Sequence, residues 1–201
     1  MGADVRATGS QLNLDAVLDR CRRGDELAWE SLVRNYQSRV FGLAYHYVAN
    51  SEDARDLAQD IFVKVYKNLR KCPNADNFLP WLFRIARNAS IDHLRRTRAR
   101  PPASQVSEMD MDSLVDHSSD PEEHWLKEAR RGLFRKALQM LTRLNREIII
   151  LKEIQGLTLE EMARILDVPI GTLKSRSHRA RLELAEKVLA LSQGRQGGTN
   201  S

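Results

Sequence analysis

The sequence predicts an all-α protein, with two small helical modules joined by a flexible acidic linker. Glycine and proline are sparse, with 10 and 6 among 201 residues. Apolar residues recur at the spacing of an amphipathic helix along nearly the whole chain, and no segment shows the alternation of a half-buried strand. A polar stretch in the middle lacks this periodicity, and it therefore separates the two modules.

The first module, residues 1–100, is predicted to hold four helices. The first stops at Gly24, Asp25 is placed to cap the second, and Asn50 interrupts the pattern before the third. Residues 72–77 are rich in turn-forming types and predict a loop before the fourth helix. The positions expected to face the core are Leu14, Val17, Leu18, Cys21, Ala28, Leu32, Tyr36, Val40, Leu43, Tyr47, Ala54, Leu57, Ala58, Ile61, Val65, Leu69, Phe78, Trp81, Leu82, Ile85, Ala86 and Ala89.

Charge is distributed unevenly along the chain. Lysine and arginine exceed aspartate and glutamate by 32 to 27, which is a mild surplus. Residues 101–121 carry no lysine or arginine and several acidic side chains, so we expect a flexible acidic linker there. Basic clusters on both sides of this linker indicate two separate contacts with a polyanion. The clusters comprise Arg84, Arg87, Arg95, Arg96, Arg98 and Arg100 before the linker, and Lys174, Arg176, Arg179 and Arg181 after it.

Composition argues against membrane insertion and export. The longest aliphatic run, residues 148–151, is far shorter than a membrane span, and no charged-then-apolar leader opens the chain. We therefore expect a cytoplasmic protein. Cys21 and Cys72 lack CxxC spacing and neighbouring histidines, which favours a reduced pair over a disulfide or a zinc site.

An enzymatic role finds little support in the residues. There is no nucleophile–base set, no phosphate-binding glycine loop and no metal-ligand spacing, and we expect neither a cofactor nor a bound metal. The five histidines are scattered along the chain at His46, His93, His117, His124 and His178.

The second module, residues 122–192, contains the pattern of a helix-turn-helix. Helices are expected near 122–141, 145–154, 158–167 and 171–191, followed by a disordered tail at 193–201. Thr158 to Glu161 fits a capping box, and residues 168–171 predict a tight corner before a helix with a basic, exposed N-terminal half. This layout fits the major groove of DNA, although a solvated amphipathic helix in a generic bundle is the alternative.

Three segments of this module resemble region 4 of bacterial sigma factors of the extracytoplasmic-function (ECF) type. They are residues 156–163 (GLTLEEMA), 169–176 (PIGTLKSR) and 179–181 (RAR). Regulators of the LuxR class have a similar helix-turn-helix, so this half alone leaves a dimeric operator-binding regulator open.

The first module resembles region 2 of the same family. The matching segments are residues 53–62 (DARDLAQDIF), 81–88 (WLFRIARN) and 92–96 (DHLRR). Two motif sets in the right order cover nearly the whole chain, and a LuxR-type regulator lacks the first set. The joint resemblance implies an alternative sigma factor, a non-catalytic subunit that binds core RNA polymerase and promoter DNA and is usually held by an anti-sigma factor.

The resemblance also implies roles for individual residues. Asp56, Gln59 and Asp60 form a polar stripe opposite Leu57 and Ile61 that would dock on the clamp coiled coil of the polymerase; a merely solvated face is the alternative. The −35 element would be recognised by a set on the last helix, supported by one lysine before it. This set comprises Lys152, Lys174, Ser175, Arg176, His178 and Arg179.

The −10 element would be melted and bound by the fourth helix and the loop before it. By resemblance, residues 70–77 shape a pocket for an extruded base, arginines of the fourth helix follow the phosphates, and Asn88 can reach a base edge. Relatives often place an aromatic residue near Cys72, and this chain has none until Phe78, so the base preference is left open. The residues assigned to this element are Cys72, Asn74, Trp81, Arg84, Arg87, Asn88, Arg95 and Arg96.

Two of these features have alternatives of equal weight. Trp81 has the position of a melting wedge, but its spacing with Phe78 and Ile85 equally fits the core. In the family the linker threads towards the active-site channel of the polymerase, where an acidic strap can occupy a path used by nucleic acid; a solvated spacer fits the sequence as well.

Overall fold

A computed structural model describes the backbone of residues 8–98 and 121–196, and the side chains of residues 14–97 and 129–193. Every regular element in these ranges is helical, which confirms the all-α prediction. The chain divides into two compact units, and the division falls between the two described ranges. Among the described residues, no helix is long and apolar enough to cross a membrane.

The predicted acidic linker, residues 101–121, lies outside the described residues except for Pro121, where a helix of the second unit begins. At the other end, the last helix runs to Gln196 and so enters the segment expected to be a disordered tail. Residues 197–201 lie outside the described residues.

The first unit is a bundle in which helices α2, α3 and α4 pack on one another and α1 packs on α2. The bounds are α1 Thr8–Arg22, α2 Glu26–Val48, α3 Ser51–Asn68, a 3₁₀ turn Leu69–Lys71, and α4 Phe78–Arg98.

Short capping sequences separate the first three helices. Gly24 has a φ of 85°, a conformation that glycine adopts without steric cost, and the chain turns there out of α1. Asp25 follows as the N-cap of α2 and accepts a hydrogen bond from the Ala28 amide. That bond and the Arg20 guanidinium hold the pKa of the Asp25 carboxyl below its ordinary value. Asn50 caps α3 by accepting from the amides of Glu52 and Asp53.

The core of this unit departs from the predicted pattern on α4. Phe83 is fully buried although it was not among the expected core positions, and the Arg39 guanidinium carbon lies 5.4 Å from its ring centroid. Ile85, which was expected to be inward, is half-buried. Phe78 is buried as predicted, and its ring centroid lies 5.1 Å from that of Tyr36. The buried face of α4 is therefore rotated towards Phe83 relative to the predicted stripe.

The second unit consists of four helical segments. They are α5 Pro121–Met140, α6 Arg143–Ile149 continuing as a π-helical turn Ile150–Ile154, α7 Leu159–Leu166, and α8 Ile170–Gln196. A regular helix was predicted through 154; instead the amide of Gln155 donates to the Ile150 carbonyl five residues earlier. The π turn widens the helix at its C-terminal end.

Arg146 fixes the corner between α5 and α6. Its guanidinium donates to the carbonyls of Leu138, Gln139 and Leu141, at the end of α5 where backbone acceptors have no partner within the helix. One cation thus satisfies three acceptors and complements the negative end of the helix dipole.

The helix-turn-helix forms with small corrections to the predicted bounds. Thr158 and Glu161 make the expected capping box at the start of α7. The inward side chains of α7 include Ile165, which was not predicted, whereas Leu159 and Ala163 are half-buried. Asp167 turns the chain with a φ of 57°, and α8 begins at Ile170 rather than at 171 or 172.

Removal of the capping hydroxyl of Thr158 should weaken the second unit. Thr158→Ala leaves the amide of Glu161 without its partner, and we expect a loss of about 1 kcal/mol in the free energy of unfolding. Urea denaturation of the full chain measures this loss. Thr158→Ser retains the hydroxyl and should preserve most of the stability; equal losses in both variants would contradict the capping role.

Candidate nucleic-acid interfaces

Helix α8 is held to its unit along one face. Leu173 and Ala180 are fully buried, and Ala180 belongs to a core cluster with Leu138, Leu141 and Ile149. Two polar contacts add to this packing farther along the helix. Asn145 of α6 donates to the Glu183 carboxylate at 2.7 Å, and Arg181 lies 3.6 Å from the Glu153 carboxylate on the π turn.

The opposite face of α8 is basic and exposed. Lys174, Ser175 and His178 follow one another at helical spacing, and Arg176 and Arg179 flank them; all five are exposed. Within the described part of the chain, Lys174, Arg176 and Arg179 make no ion pair. Arg181, by contrast, is paired with Glu153. The N-terminal half of α8 therefore presents a surface that is able to donate hydrogen bonds to a polyanion.

The structure places these five predicted −35 residues on one surface and sets Lys152 apart. Lys152 lies half-buried on the π turn, a different element. Its neighbour Glu153 faces Arg181, which links the turn to α8 at a point beyond the exposed basic half.

Helix α4 carries the second basic face. Arg84, Asn88 and Arg95 share one side of the helix and are exposed, and Arg87 beside them is half-buried with polar contacts of its own. Arg96 is exposed, and its Nε donates to the carbonyl of Asp92 at 3.4 Å. This face is longer than that of α8 and less densely basic, because Asp92 interrupts it.

Trp81 lies at the start of the same face. It is half-buried, with its ring centroid 6.1 Å from that of the fully buried Phe78. The indole thus has a packed edge and an accessible edge, which leaves both alternatives for Trp81 in place.

The loop before α4 presents some of the predicted residues and hides another. Asn74 is exposed, and its side-chain oxygen accepts from the backbone amide and the side chain of Asn77. Cys72, by contrast, is 2 % exposed, and its Sγ donates to the carbonyl of Asn74 at 3.5 Å. The thiol is therefore covered by the protein itself, and the assignment of Cys72 to the −10 element stays a prediction from the sequence.

Both cysteines are free thiols in buried positions. Burial raises the pKa of the Cys21 thiol, and the nearby Asp25 carboxylate adds to the rise. Burial likewise raises the pKa of the Cys72 thiol. A raised pKa lowers the fraction of reactive thiolate at neutral pH, so these side chains act as small apolar core residues.

The polar stripe of α3 lies on the surface as predicted. Asp56, Gln59 and Asp60 are all exposed, while Leu57 and Ile61 are buried against the bundle.

This stripe continues into apolar residues that the sequence reasoning missed. Val63 and Tyr66 are 50 % and 56 % exposed, one and two turns beyond Gln59 and Asp60. The Trp29 ring of α2 supports Tyr66 from below, with 5.1 Å between ring centroids. The same helical spacing, continued past Asp60, places both side chains on the face of the polar stripe.

Comparison with protein families matches the two units separately. Residues 32–100 match the model described as Sigma-70 region 2, and residues 131–184 match Sigma-70, region 4. The first match spans α3, α4 and the loop between them, and the second contains the helix-turn-helix.

Curated relatives and a solved structure agree with these matches. The RNA polymerase sigma-H factor of Pseudomonas aeruginosa is 34 % identical over 178 residues, covering 86 % of this chain and 92 % of that protein. The ECF RNA polymerase sigma-E factor of Escherichia coli strain K12 is 34 % identical over 186 residues, covering 90 % and 97 %. The sigma factor RpoE of Bartonella quintana, solved in complex with the anti-sigma factor NepR, has a TM-score of 0.60 at 26 % identity, covering 79 % and 95 %. The chain therefore belongs to the sigma-70 family and is an alternative sigma factor of the extracytoplasmic-function type.

Proposed function

We propose that this alternative sigma factor divides promoter recognition between its two modules and carries out no bond chemistry itself. Residues 1–100 bind core RNA polymerase and open the −10 element, residues 122–192 bind the −35 element, and residues 101–121 connect them. This assignment rests on the surfaces of the two compact units. Each unit presents an exposed basic helix face, and the first unit also presents an acidic stripe. A sigma factor needs two DNA contacts and a polymerase contact, and these surfaces match that requirement.

Helix α8 binds the −35 element in the major groove through its N-terminal half. Its buried face is fixed by Leu173 and Ala180, so Lys174, Ser175 and His178 can only point away from the unit. Lysine donates to guanine O6 and N7, and serine and histidine reach base edges or phosphates. Arg176 and Arg179, which flank this row, are placed to contact the phosphates.

Lys174→Ala should weaken recognition of the −35 element by about 1–3 kcal/mol if Lys174 contacts a base. The measurement compares binding of the holoenzyme to its preferred −35 sequence with binding to a scrambled one. Lys136→Ala, which removes an exposed cation from α5 of the same unit, serves as the matched control. Equal weakening on both DNA sequences would assign Lys174 to a phosphate instead.

The −10 element is bound as a separated strand along α4. Arg84, Arg95 and Arg96 supply an exposed cationic track for phosphates, and Asn88 offers both a donor and an acceptor to a base edge. Asn74 on the adjoining loop has its oxygen occupied by Asn77, so its amide donors are the groups available to an extruded base. Cys72 contributes to this site through the shape of the loop and not through its thiol.

The α3 stripe binds the polymerase. Asp56, Gln59 and Asp60 provide charge and hydrogen bonds, and Val63 and Tyr66 extend them with apolar area. A polar rim beside exposed aromatic and aliphatic side chains is the usual composition of a protein interface. It also explains why two large apolar residues remain uncovered on this face of α3.

Asp60→Ala should lower affinity for core polymerase by about tenfold, because it removes one charged group from the interface. Fluorescence anisotropy of labelled full-length chain, titrated with core enzyme, measures the change. Glu30→Ala removes an exposed carboxylate from α2 of the same unit and should leave affinity unchanged. A parallel loss of thermal stability in Asp60→Ala would indicate misfolding rather than a lost contact.

Run-off transcription with purified core polymerase on a library of genomic promoters tests the whole proposal. We expect the chain to copurify with core and to direct transcripts from a defined subset of promoters. A dimeric regulator, the rival function, would bind a palindromic operator without polymerase and produce no such transcripts. Failure both to bind core and to initiate would reject the sigma function.

We further propose that an anti-sigma factor regulates this chain. The support is the structural likeness to a Bartonella quintana sigma factor that was solved in complex with one. Adding a candidate anti-sigma factor to the same transcription assay tests this proposal: the partner should reduce transcript yield in proportion to the sigma factor it occupies, and an unchanged yield would reject that candidate.

A further inference from the structure

Helix α1 holds the loop between α3 and α4 by two hydrogen bonds to the loop backbone. The amide of Ala75 donates to the Asp15 carboxylate at 3.0 Å, and the Arg22 guanidinium donates to the carbonyl of Cys72 at 2.7 Å. These partners are 60 and 50 residues apart in the sequence, so the contacts belong to the folded unit and not to a local turn.

The spacing of the two anchors matches the loop. Asp15 and Arg22 are two helical turns apart on α1, which corresponds to about 10 Å. Cys72 to Ala75 covers a similar length of about 10 Å when the chain is extended, and Cys72 has an extended backbone with φ −73° and ψ 123°. The loop therefore runs antiparallel to α1 along one face.

Packing and an ion pair stabilise this contact. Leu18 and Cys21, which lie between the two anchors on α1, are buried. The Asp19 carboxylate lies 2.8 Å from the other terminal nitrogen of Arg22 and so orients the guanidinium towards the loop.

The anchored loop residues are the inner ones. Cys72 and Ala75 are buried, whereas Pro73, Asn74 and Asp76 are exposed. Helix α1 thus holds the buried side of the loop while the side that would meet an extruded base remains open.

We propose that Asp15 and Arg22 are positioning residues that set the −10 base preference by fixing the loop in one shape. This inference rests on the proposed role of the loop in −10 binding. Because both hydrogen bonds engage the backbone, they define the pocket whatever side chains the loop carries. Loss of either anchor removes the protein partner of a partly buried backbone group, and the loop is then free to change shape.

Transcription from a library randomised in the −10 element tests the inference with full-length variants and core polymerase. In Asp15→Ala and Arg22→Ala, the advantage of the preferred base at the extruded position should fall by about tenfold, the size of a typical single-base discrimination. Core affinity should stay unchanged, and hydrogen exchange of the Ala75 amide should accelerate in Asp15→Ala. Asp15→Asn keeps an acceptor oxygen and should retain the preference.

Arg23→Ala is the matched control, since it removes an exposed arginine one position from Arg22. If the anchor variants keep the base preference of Arg23→Ala while Ala75 exchanges faster, the loop has loosened without consequence and the inference is wrong. A parallel fall of core affinity and base preference would show that the anchors only stabilise the unit.

If Arg22→Ala does not fold, the comparison of Asp15→Ala with Asp15→Asn decides the test. Failure of the unmodified chain to initiate would reject the proposed function, and the exchange of Ala75 would still report on the anchors.

Discussion

The packing of Leu173 and Ala180 fixes how α8 lies against the second unit, and the arrangement of the rest of that unit depends on this constraint. These two small-to-medium side chains are two turns apart and fully buried, so they fix the rotation of α8 about its axis. Three further features fix the segments before it: Arg146 closes the corner between α5 and α6, the capping box begins α7, and Asp167 turns the chain into α8. A rotation of α8 by one residue would bury Lys174 and expose Leu173, so the packing of α8 and the exposure of its basic side chains cannot be altered separately.

Cations in this protein have two distinct uses, which the net charge of +5 does not reveal. Arg22 and Arg146 donate to backbone carbonyls inside their own units, and Arg181 is held by Glu153. Lys174 and Arg179 face solvent without such partners in the described residues. Arg22 and Arg146 thus stabilise a loop and a corner of their own units, whereas Lys174 and Arg179 remain available at the surface.

Much of the fold followed from local sequence signals. The caps at Asp25 and Thr158 are formed as predicted, because each depends on residues within three positions. Asn50, which was predicted only to interrupt the pattern, also caps a helix. Burial was less predictable: Phe83 is enclosed because α4 meets both α2 and α3, and one-dimensional periodicity does not reveal a second packing partner.

The same distinction applies to the candidate sites. Exposed polar rows on α3 and α8 could be predicted from spacing, since an amphipathic helix separates its faces by sequence alone. The covered state of Cys72 and the anchors Asp15 and Arg22 could not, because they depend on contacts between segments far apart in the chain. Motif resemblance identified the loop, and only the fold shows what holds it.

The π turn at Ile150–Ile154 affects how this part of the chain responds to a change in length. A π turn accommodates one more residue than the α-helical turn that it replaces. Deletion of a single residue within it would let the remaining residues close the same turn with α-helical hydrogen bonds, so the segments that follow would keep their direction. A deletion inside the N-terminal half of α8, by contrast, would turn the side chains after it by about 100° about the helix axis. The π turn is therefore a place where this unit can absorb a change of one residue in length, whereas α8 is not.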